Sequence, residues 1–240
     1  AIRPPAPVHG TRGTSDPLTA MRPYRRPLLA VLAVMLAVLT AVGATGCAYL
    51  EIKERELVYR PIRDYARTPA DLGLRFEELW IDVAKDDGSR ERIHAWWLPS
   101  ARPEAPAVLY LHGVRWSLGN NLFRLNRWHQ PGFNVLAIDY RGFGRSDGEL
   151  PSEPQIHADA RAAWAELVRR EPRADKRFIY GHSLGAAVAL DLAARADGAT
   201  GVIAEAGFTS LPDVVAGTNR AMSLLVTQRF DALARVRELK

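Results

Sequence analysis

Two stretches in the first half of the chain alternate between apolar and polar residues. Glu78 to Val83 and Arg92 to Leu98 alternate with a period of two, and Asp86-Asp87-Gly88 between them has the composition of a tight turn. This pattern predicts a β-hairpin. The hairpin carries three tryptophans that we interpret as packing residues and not as a binding box: Trp80, Trp96 and Trp97.

Beyond residue 106, apolar runs alternate with segments of helical spacing. Continuous apolar runs are typical of strands that are buried on both faces. Such runs predict four strands: Ala107 to Leu111, Asn134 to Ile138, Arg177 to Tyr180 and Gly201 to Ala204. Helical spacing predicts three helices: about Leu118 to Trp128, Ile156 to Arg169 and Ala186 to Ala196. The alternation predicts an α/β fold, with a mostly parallel sheet flanked by helices and the antiparallel hairpin at one edge.

The N-terminal segment has a different pattern. Residues 1–20 are rich in Pro, Gly and Thr and lack an apolar stripe, so we expect them to be disordered, or to be an artefact upstream of Met21. After Met21, a group of arginines precedes the apolar run Leu28 to Val42 and small residues that end at Cys47. This order is typical of a secretory signal peptide over residues 21–47.

Cys47 after small residues resembles the lipobox of bacterial lipoproteins, in which the cysteine is acylated, although Ala44 stands where that motif usually has Leu. Residues 27–50 are uncharged and long enough for one transmembrane helix, so an uncleaved signal-anchor is the alternative. Both interpretations predict a membrane-anchored, extracytoplasmic protein. We interpret residues 48–76 as a linker or docking segment and residues 77–240 as one folded domain.

Charge and cysteine content exclude several classes of protein. The net charge of the 240 residues is +5, but residues 1–46 hold five Arg and one Asp, so the remainder is almost neutral and we expect no nucleic-acid partner. Cys47 is the single cysteine, which excludes a disulfide framework. The scattered histidines lack ligand spacing, so we expect no metal site, and no phosphate-binding or dinucleotide fingerprint is present.

The candidate chemistry centres on Gly181-His182-Ser183-Leu184-Gly185, between a predicted buried strand and an Ala-rich helix. A serine on such a turn projects its hydroxyl from a strained backbone, and the residues two before and two after it must be small. This nucleophile elbow makes Ser183 the candidate catalytic residue. The Leu184 amide is one candidate oxyanion donor.

The segment Leu111-His112-Gly113-Val114 follows the first buried strand. Its position predicts the second oxyanion donor at Val114 or Gly113. We interpret His112 as a structural residue beside the site, with a catalytic role as the lesser alternative.

In the Gly-rich stretch from Asp139 to Gly148, we expect Arg141 and Asp147 to hold the loop by charge-assisted bonds.

In this order and spacing, the three motifs resemble the α/β-hydrolase superfamily from about Glu78 to Pro212. The similarity is strongest to the branch of bacterial lipoprotein-like hydrolases and eukaryotic depalmitoylase and lysophospholipase relatives, and Glu205-Ala206-Gly207-Phe208-Thr209-Ser210 also looks like that branch. The resemblance implies a serine hydrolase that cleaves esters or thioesters through an acyl-enzyme at Ser183, without a cofactor. A serine peptidase of the same fold and a non-catalytic binding protein are the alternatives.

The chain departs from the family pattern after Ser183, because no histidine follows His182. The resemblance implies that an acid and then a histidine come later in the chain, so we expect a C-terminally truncated protein and an inactive 240-residue chain. Glu205, at the end of a predicted strand, is a lesser candidate for the acid. Residues 211–231 lie where this fold often inserts a lid.

Overall fold

The computed structural model describes residues 22–63, 67–85 and 87–239, with side chains from residue 29 onward. Residues 1–20, which we expect to be disordered or an artefact, and the predicted turn residue Asp86 therefore lie outside the described residues. The chain divides into two units, Ala1–Leu50 and Glu51–Lys240. Each unit is described by itself.

The described part of the first unit is helical. Helix α1 runs from Arg22 to Tyr59 and so continues into the second unit. Its aliphatic residues from Leu29 to Leu50 are exposed, and the stretch Leu29–Tyr59 is long and apolar enough to cross a membrane by length and composition. Cys47 is exposed on this helix.

The second unit contains a six-stranded sheet with the order β1-β2-β4-β3-β5-β6. The strands are β1 (Glu77–Ala84), β2 (Arg90–Leu98), β3 (Ala107–Leu111), β4 (Asn134–Ile138), β5 (Arg177–His182) and β6 (Gly201–Glu205). The first two strands form an antiparallel hairpin, β2 also pairs antiparallel with β4, and β3 to β6 are mutually parallel. The predicted α/β fold with an antiparallel edge hairpin is confirmed.

Helices cover both faces of the sheet. Their bounds are α2 (Leu122–His129), α3 (Glu153–Arg170), α4 (Leu184–Arg195), α5 (Leu211–Ala216), α6 (Arg220–Ser223) and α7 (Ala232–Val236). Helices α3 and α4 pack on one face, in a core that includes Leu109 and Ile138. Helix α2 packs on the opposite face against Tyr110 and Tyr180. A parallel sheet covered in this way presents the carboxyl ends of its strands, and the loops that follow them, at one edge.

The packing interpretation of the tryptophans holds for two of the three. Trp96 and Trp97 are buried, whereas Trp80 is 43% exposed. The Trp80 ring lies 4.9 Å from the Arg92 guanidinium and contacts the His94 ring edge-on. Trp80, on the edge strand β1, therefore covers polar side chains of the neighbouring strand β2 instead of filling the core.

Candidate active site

Ser183 lies at the junction of β5 and α4, with φ 58° and ψ −119°. This left-handed region is costly for a residue with a side chain. Backbone hydrogen bonds hold it there: the Ser183 amide donates to the Glu205 carbonyl at 2.9 Å, and the Ser183 carbonyl accepts from the Ala186 amide at 2.9 Å. The chain enters the turn from a buried strand and leaves it as a helix, as an elbow requires.

The two glycines of the motif are required by close backbone contacts. A Cβ on Gly181 would lie 2.7 Å from the Ala186 nitrogen and closer still to the Gly185 carbonyl. A Cβ on Gly185 would lie 2.7 Å from the His112 carbonyl oxygen. Neither position can therefore hold a larger residue without moving the backbone. The second contact also brings the loop after β3 against the elbow.

Two backbone segments meet beside Ser183. A Cβ on Gly113 would lie only 3.2 Å from the Ser183 Cβ, so the Gly113 backbone lies directly against the serine. Leu184 is the first residue of α4, and an amide at that position has no acceptor within its own helix. The backbone of the loop after β3 and the first turn of α4 therefore both adjoin Ser183.

Asp139, which is fully buried directly after β4, contacts the loop that carries Gly113. The Leu118 amide donates to Asp139 Oδ1 at 2.9 Å, and His112 Nε2 lies 3.4 Å from the same oxygen. His94 Nδ1 lies 3.6 Å from Asp139 Oδ2. Burial alone would raise the pKa of Asp139, but the adjacent imidazoles of His112 and His94 and the hydrogen bond from the Leu118 amide lower it below its ordinary value. No role was predicted for Asp139 by itself, although a carboxylate at the end of an apolar strand is a signal in the sequence.

His112 is one of the buried residues that hold this loop in place. Its ring is buried, packs 4.7 Å from the Tyr140 ring and 5.1 Å from the Phe143 ring, and its Nδ1 donates to the Gly113 carbonyl at 2.6 Å. Both ring nitrogens thus face groups that fix the loop. This geometry favours the structural role for His112.

His182 and Glu205 form a second polar cluster, on the α2 side of the sheet. Arg124 Nη2 donates to His182 Nε2 at 2.9 Å, and it lies 3.8 Å from Glu205 Oε1. Because a guanidinium only donates, His182 Nε2 is the acceptor and its proton sits on Nδ1. Partial burial and the Arg124 charge lower the pKa of His182. His182 is therefore neutral and engaged by Arg124.

The Glu205 carboxylate is likewise engaged. Tyr180 donates its hydroxyl to Glu205 Oε2 at 2.7 Å, and this bond, assisted by the Arg124 charge, lowers the pKa of Glu205. This contact of Arg124 was not predicted, because the position of an arginine on α2 does not reveal which strand end its side chain reaches.

The remaining described histidines lie elsewhere. His129 Nε2 donates to the Pro99 carbonyl at 3.1 Å. His157 on α3 lies between Asp191 and Glu153, at 3.3 and 3.6 Å. Among the described residues, Ser183 Oγ therefore has no histidine hydrogen-bonded to it, and no cluster of His, Cys, Asp or Glu there is arranged to hold a metal ion.

The Gly-rich loop after β4 is held as expected by its charged residues, through partners outside the loop. Arg141 Nε donates to Asp159 at 2.7 Å, and the Arg141 amide donates to the same carboxylate at 2.8 Å. Asp147 accepts from the Arg92 amide at 2.9 Å. These bonds tie the loop to α3 and to β2.

The mixed sheet, the strained serine between β5 and α4 and the adjoining glycine loop together define the α/β-hydrolase class. A sequence model of the family described as "Serine aminopeptidase, S33" matches residues 102–237, and the chain belongs to this family.

Curated relatives extend the similarity to eukaryotes. The chain is 33% identical over 180 residues to the α/β-hydrolase domain-containing protein WAV2 of Arabidopsis thaliana, covering 70% of this chain and 56% of that protein. It is 29% identical over 185 residues to protein bem46 of Schizosaccharomyces pombe, covering 73% and 60%. The chain thus spans about three fifths of the length of these relatives.

Among solved structures, an esterase from Pyrococcus furiosus matches with a TM-score of 0.57 and 20% identity, over 76% of this chain and 74% of that chain. At this identity the match supports the fold alone.

Proposed function

We propose that this protein is a serine hydrolase that cleaves carboxylic esters or thioesters through an acyl-enzyme at Ser183. The observation that carries the proposal is the left-handed backbone of Ser183, with the Gly113 backbone packed against it. A strained conformation of this kind persists only where the surrounding structure enforces it, and we infer that it serves to present the Ser183 hydroxyl to substrate beside backbone amides.

In the proposed mechanism, a general base removes the Ser183 proton while Oγ attacks the acyl carbonyl. The amides of Leu184 and of Gly113 or Val114 stabilise the resulting oxyanion. Collapse of the tetrahedral intermediate expels the alcohol or thiol, which receives the proton from the base. Water then attacks the acyl-enzyme by the same route and releases the acid.

We propose that the base and its orienting acid come from residues outside these 240. His94, His112, His129, His157 and His182 all face other partners, as described above. We assign Glu205 a structural role, because its carboxylate contacts Tyr180 and Arg124. The 240-residue chain by itself is then expected to turn over substrate weakly or not at all.

We also propose that the protein is anchored to the membrane through its N-terminal segment, with the hydrolase domain on the extracytoplasmic side. The support is the arginine group before the apolar part of α1. Cleavage and acylation at Cys47 is one form of this anchor and an intact transmembrane helix is the other.

One observation favours a second candidate activity. The family description names an aminopeptidase, so peptide amides are an alternative substrate class for the same acyl-enzyme chemistry. A non-catalytic binding protein is the remaining alternative, since the described histidines do not reach Ser183.

Labelling with a fluorophosphonate probe tests the proposal. The protein encoded by the complete gene should be labelled, Ser183→Ala should abolish labelling, and the matched variant Ser100→Ala should keep it. Absence of labelling in the complete wild-type protein would overturn the serine hydrolase proposal and favour the binding protein. Hydrolysis of aminoacyl amides in preference to esters would favour the peptidase.

A further inference from the structure

Four aliphatic side chains in the segment between β6 and α7 are exposed without a covering element among the described residues. Leu224 is 86% exposed and Leu225 62%, with Met222 on α6 and Val214 on α5 about half exposed. Helices α5 and α6 pack against each other, so these residues belong to one substructure. We call them the cap patch. Exposed aliphatic clusters of this kind mark interaction sites.

The chain that follows the cap patch is fastened to the end of α1. The Glu54 carboxylate accepts from the Thr227 amide at 2.9 Å, from the Thr227 hydroxyl at 2.6 Å and from the Gln228 amide at 2.9 Å. The Tyr59 hydroxyl donates to Gln228 Oε1 at 2.8 Å, and the Tyr59 ring packs edge-on against Phe230. Thr227 is two residues from Leu225, so the cap patch is tied closely to Glu54.

In the proposed membrane anchor, the short chain between the anchoring residues and Glu54 limits how far Glu54 can lie from the membrane. It follows Leu50, the last residue of the uncharged stretch, by four residues, which limits their separation to about 14 Å even in an extended chain. If Cys47 is the acylated residue instead, the limit is about 25 Å. Both forms of the proposed anchor therefore hold the Glu54 carboxylate, and the segment bonded to it, near the lipid headgroups.

We propose that the cap patch is a second membrane contact, in which Leu224 and Leu225 insert into the interfacial region of the phospholipid layer. The neighbouring residues suit that location: Arg220 and Arg229 are exposed, and Asn219 caps α6. Aliphatic side chains flanked by cations are typical of segments that lie in a membrane interface. The inference rests on the proposed membrane anchor, and it does not depend on the acyl-enzyme chemistry.

Photo-crosslinking in membranes tests this contact. A benzophenone amino acid replaces Leu225 in the full-length protein, and illumination follows in phosphatidylglycerol–phosphatidylethanolamine vesicles that contain an alkyne-tagged phospholipid. The matched control carries the same group at Phe123, which is 52% exposed on α2, the helix on the sheet face opposite α3 and α4. We expect a lipid adduct at position 225 at least about tenfold stronger than at position 123.

Equal lipid labelling at the two positions, or an adduct to protein alone at position 225, would overturn the proposal. A second variant tests the hydrogen bonds between Glu54 and Thr227. Glu54→Gln should lower the lipid adduct at position 225 severalfold, because the carboxylate that holds Thr227 is lost. An unchanged adduct in that variant would show that these bonds do not hold the cap patch at the membrane. Sedimentation with the vesicles reports the anchor separately, so loss of anchoring is distinguished from loss of the cap contact.

Discussion

At the scale of single residues, the position of Ser183 depends on glycines that let three segments of backbone meet. The elbow, the loop after β3 and the first turn of α4 approach so closely that Gly181 and Gly185 have no room for a Cβ. The strain at Ser183 is thus offset by hydrogen bonds and packing that only this arrangement allows.

Gly185→Ala tests this close approach. The added methyl would overlap the Leu111 and His112 carbonyls, so we expect the free energy of unfolding to fall by about 3 kcal/mol or more, measured by urea unfolding. Gly201→Ala is the matched control, since its Cβ would lie 3.7 Å from the Phe178 ring, an ordinary contact. Equal effects of the two substitutions would contradict the argument.

A second prediction concerns Asp139 and pH. Because the pKa of Asp139 is lower in the folded protein than in the unfolded chain, its ionised form stabilises the fold at neutral pH, and that contribution is lost as the pH falls through the folded pKa. Asp139→Asn should therefore lower the free energy of unfolding by about 2 kcal/mol at pH 7. The difference from wild type should shrink below about pH 4. A difference that stays constant from pH 7 to pH 3 would show that the charge is not responsible.

The strand-to-helix turn that carries Ser183 could be predicted from sequence, because the requirement for small residues around it is local. The roles of Asp139 and Arg124 could not, since they depend on which strand ends lie side by side. Asp139 reaches His94 from β2 and His112 after β3, two elements distant in the chain. Such contacts follow from the topology of the sheet, which the pattern of apolar residues gives only in outline.

At the scale of elements, strands β3 and β4 have the predicted bounds, because fully buried strands are marked by uninterrupted apolar runs. Helix α4 begins at Leu184 instead of the predicted Ala186, because the elbow residue itself serves as its N-cap. The helical course of residues 51–59 was not predicted. Its charged residues are used for docking, as Glu54 shows, and therefore leave no amphipathic stripe.

The docking of the α1 end yields a third prediction. Tyr59 is fully buried, so Tyr59→Ala should lower the free energy of unfolding by about 3–5 kcal/mol through the cavity it leaves. Tyr59→Phe removes only the hydrogen bond to Gln228 and should cost about 1 kcal/mol. Leu57→Ala, on the same helix but exposed, is the control and should change stability by less than about 0.5 kcal/mol. Urea unfolding of the three variants in the same detergent gives their free energies of unfolding. An equal decrease for Tyr59→Ala and Leu57→Ala would refute the docking of Tyr59.

At the scale of the whole molecule, the chain combines an apolar N-terminal helix with an α/β-hydrolase domain whose sheet ends in the edge strand β6. The class of fold followed from the alternation of strands and helices, and the family comparison confirms it. The substrate could not be predicted, because the elbow and the glycine loop serve esters, thioesters and peptides alike.

The most direct test of the proposed chemistry is to trap the acyl-enzyme. The protein encoded by the complete gene is mixed with an excess of a short-chain p-nitrophenyl ester, quenched in acid within its first turnovers, and digested for tandem mass spectrometry. The acyl-enzyme mechanism predicts an acyl adduct on the peptide that contains Ser183, localised to Ser183 and absent from the Ser183→Ala variant. Turnover of the ester with the acyl group on another residue, or undiminished turnover in Ser183→Ala, would contradict it.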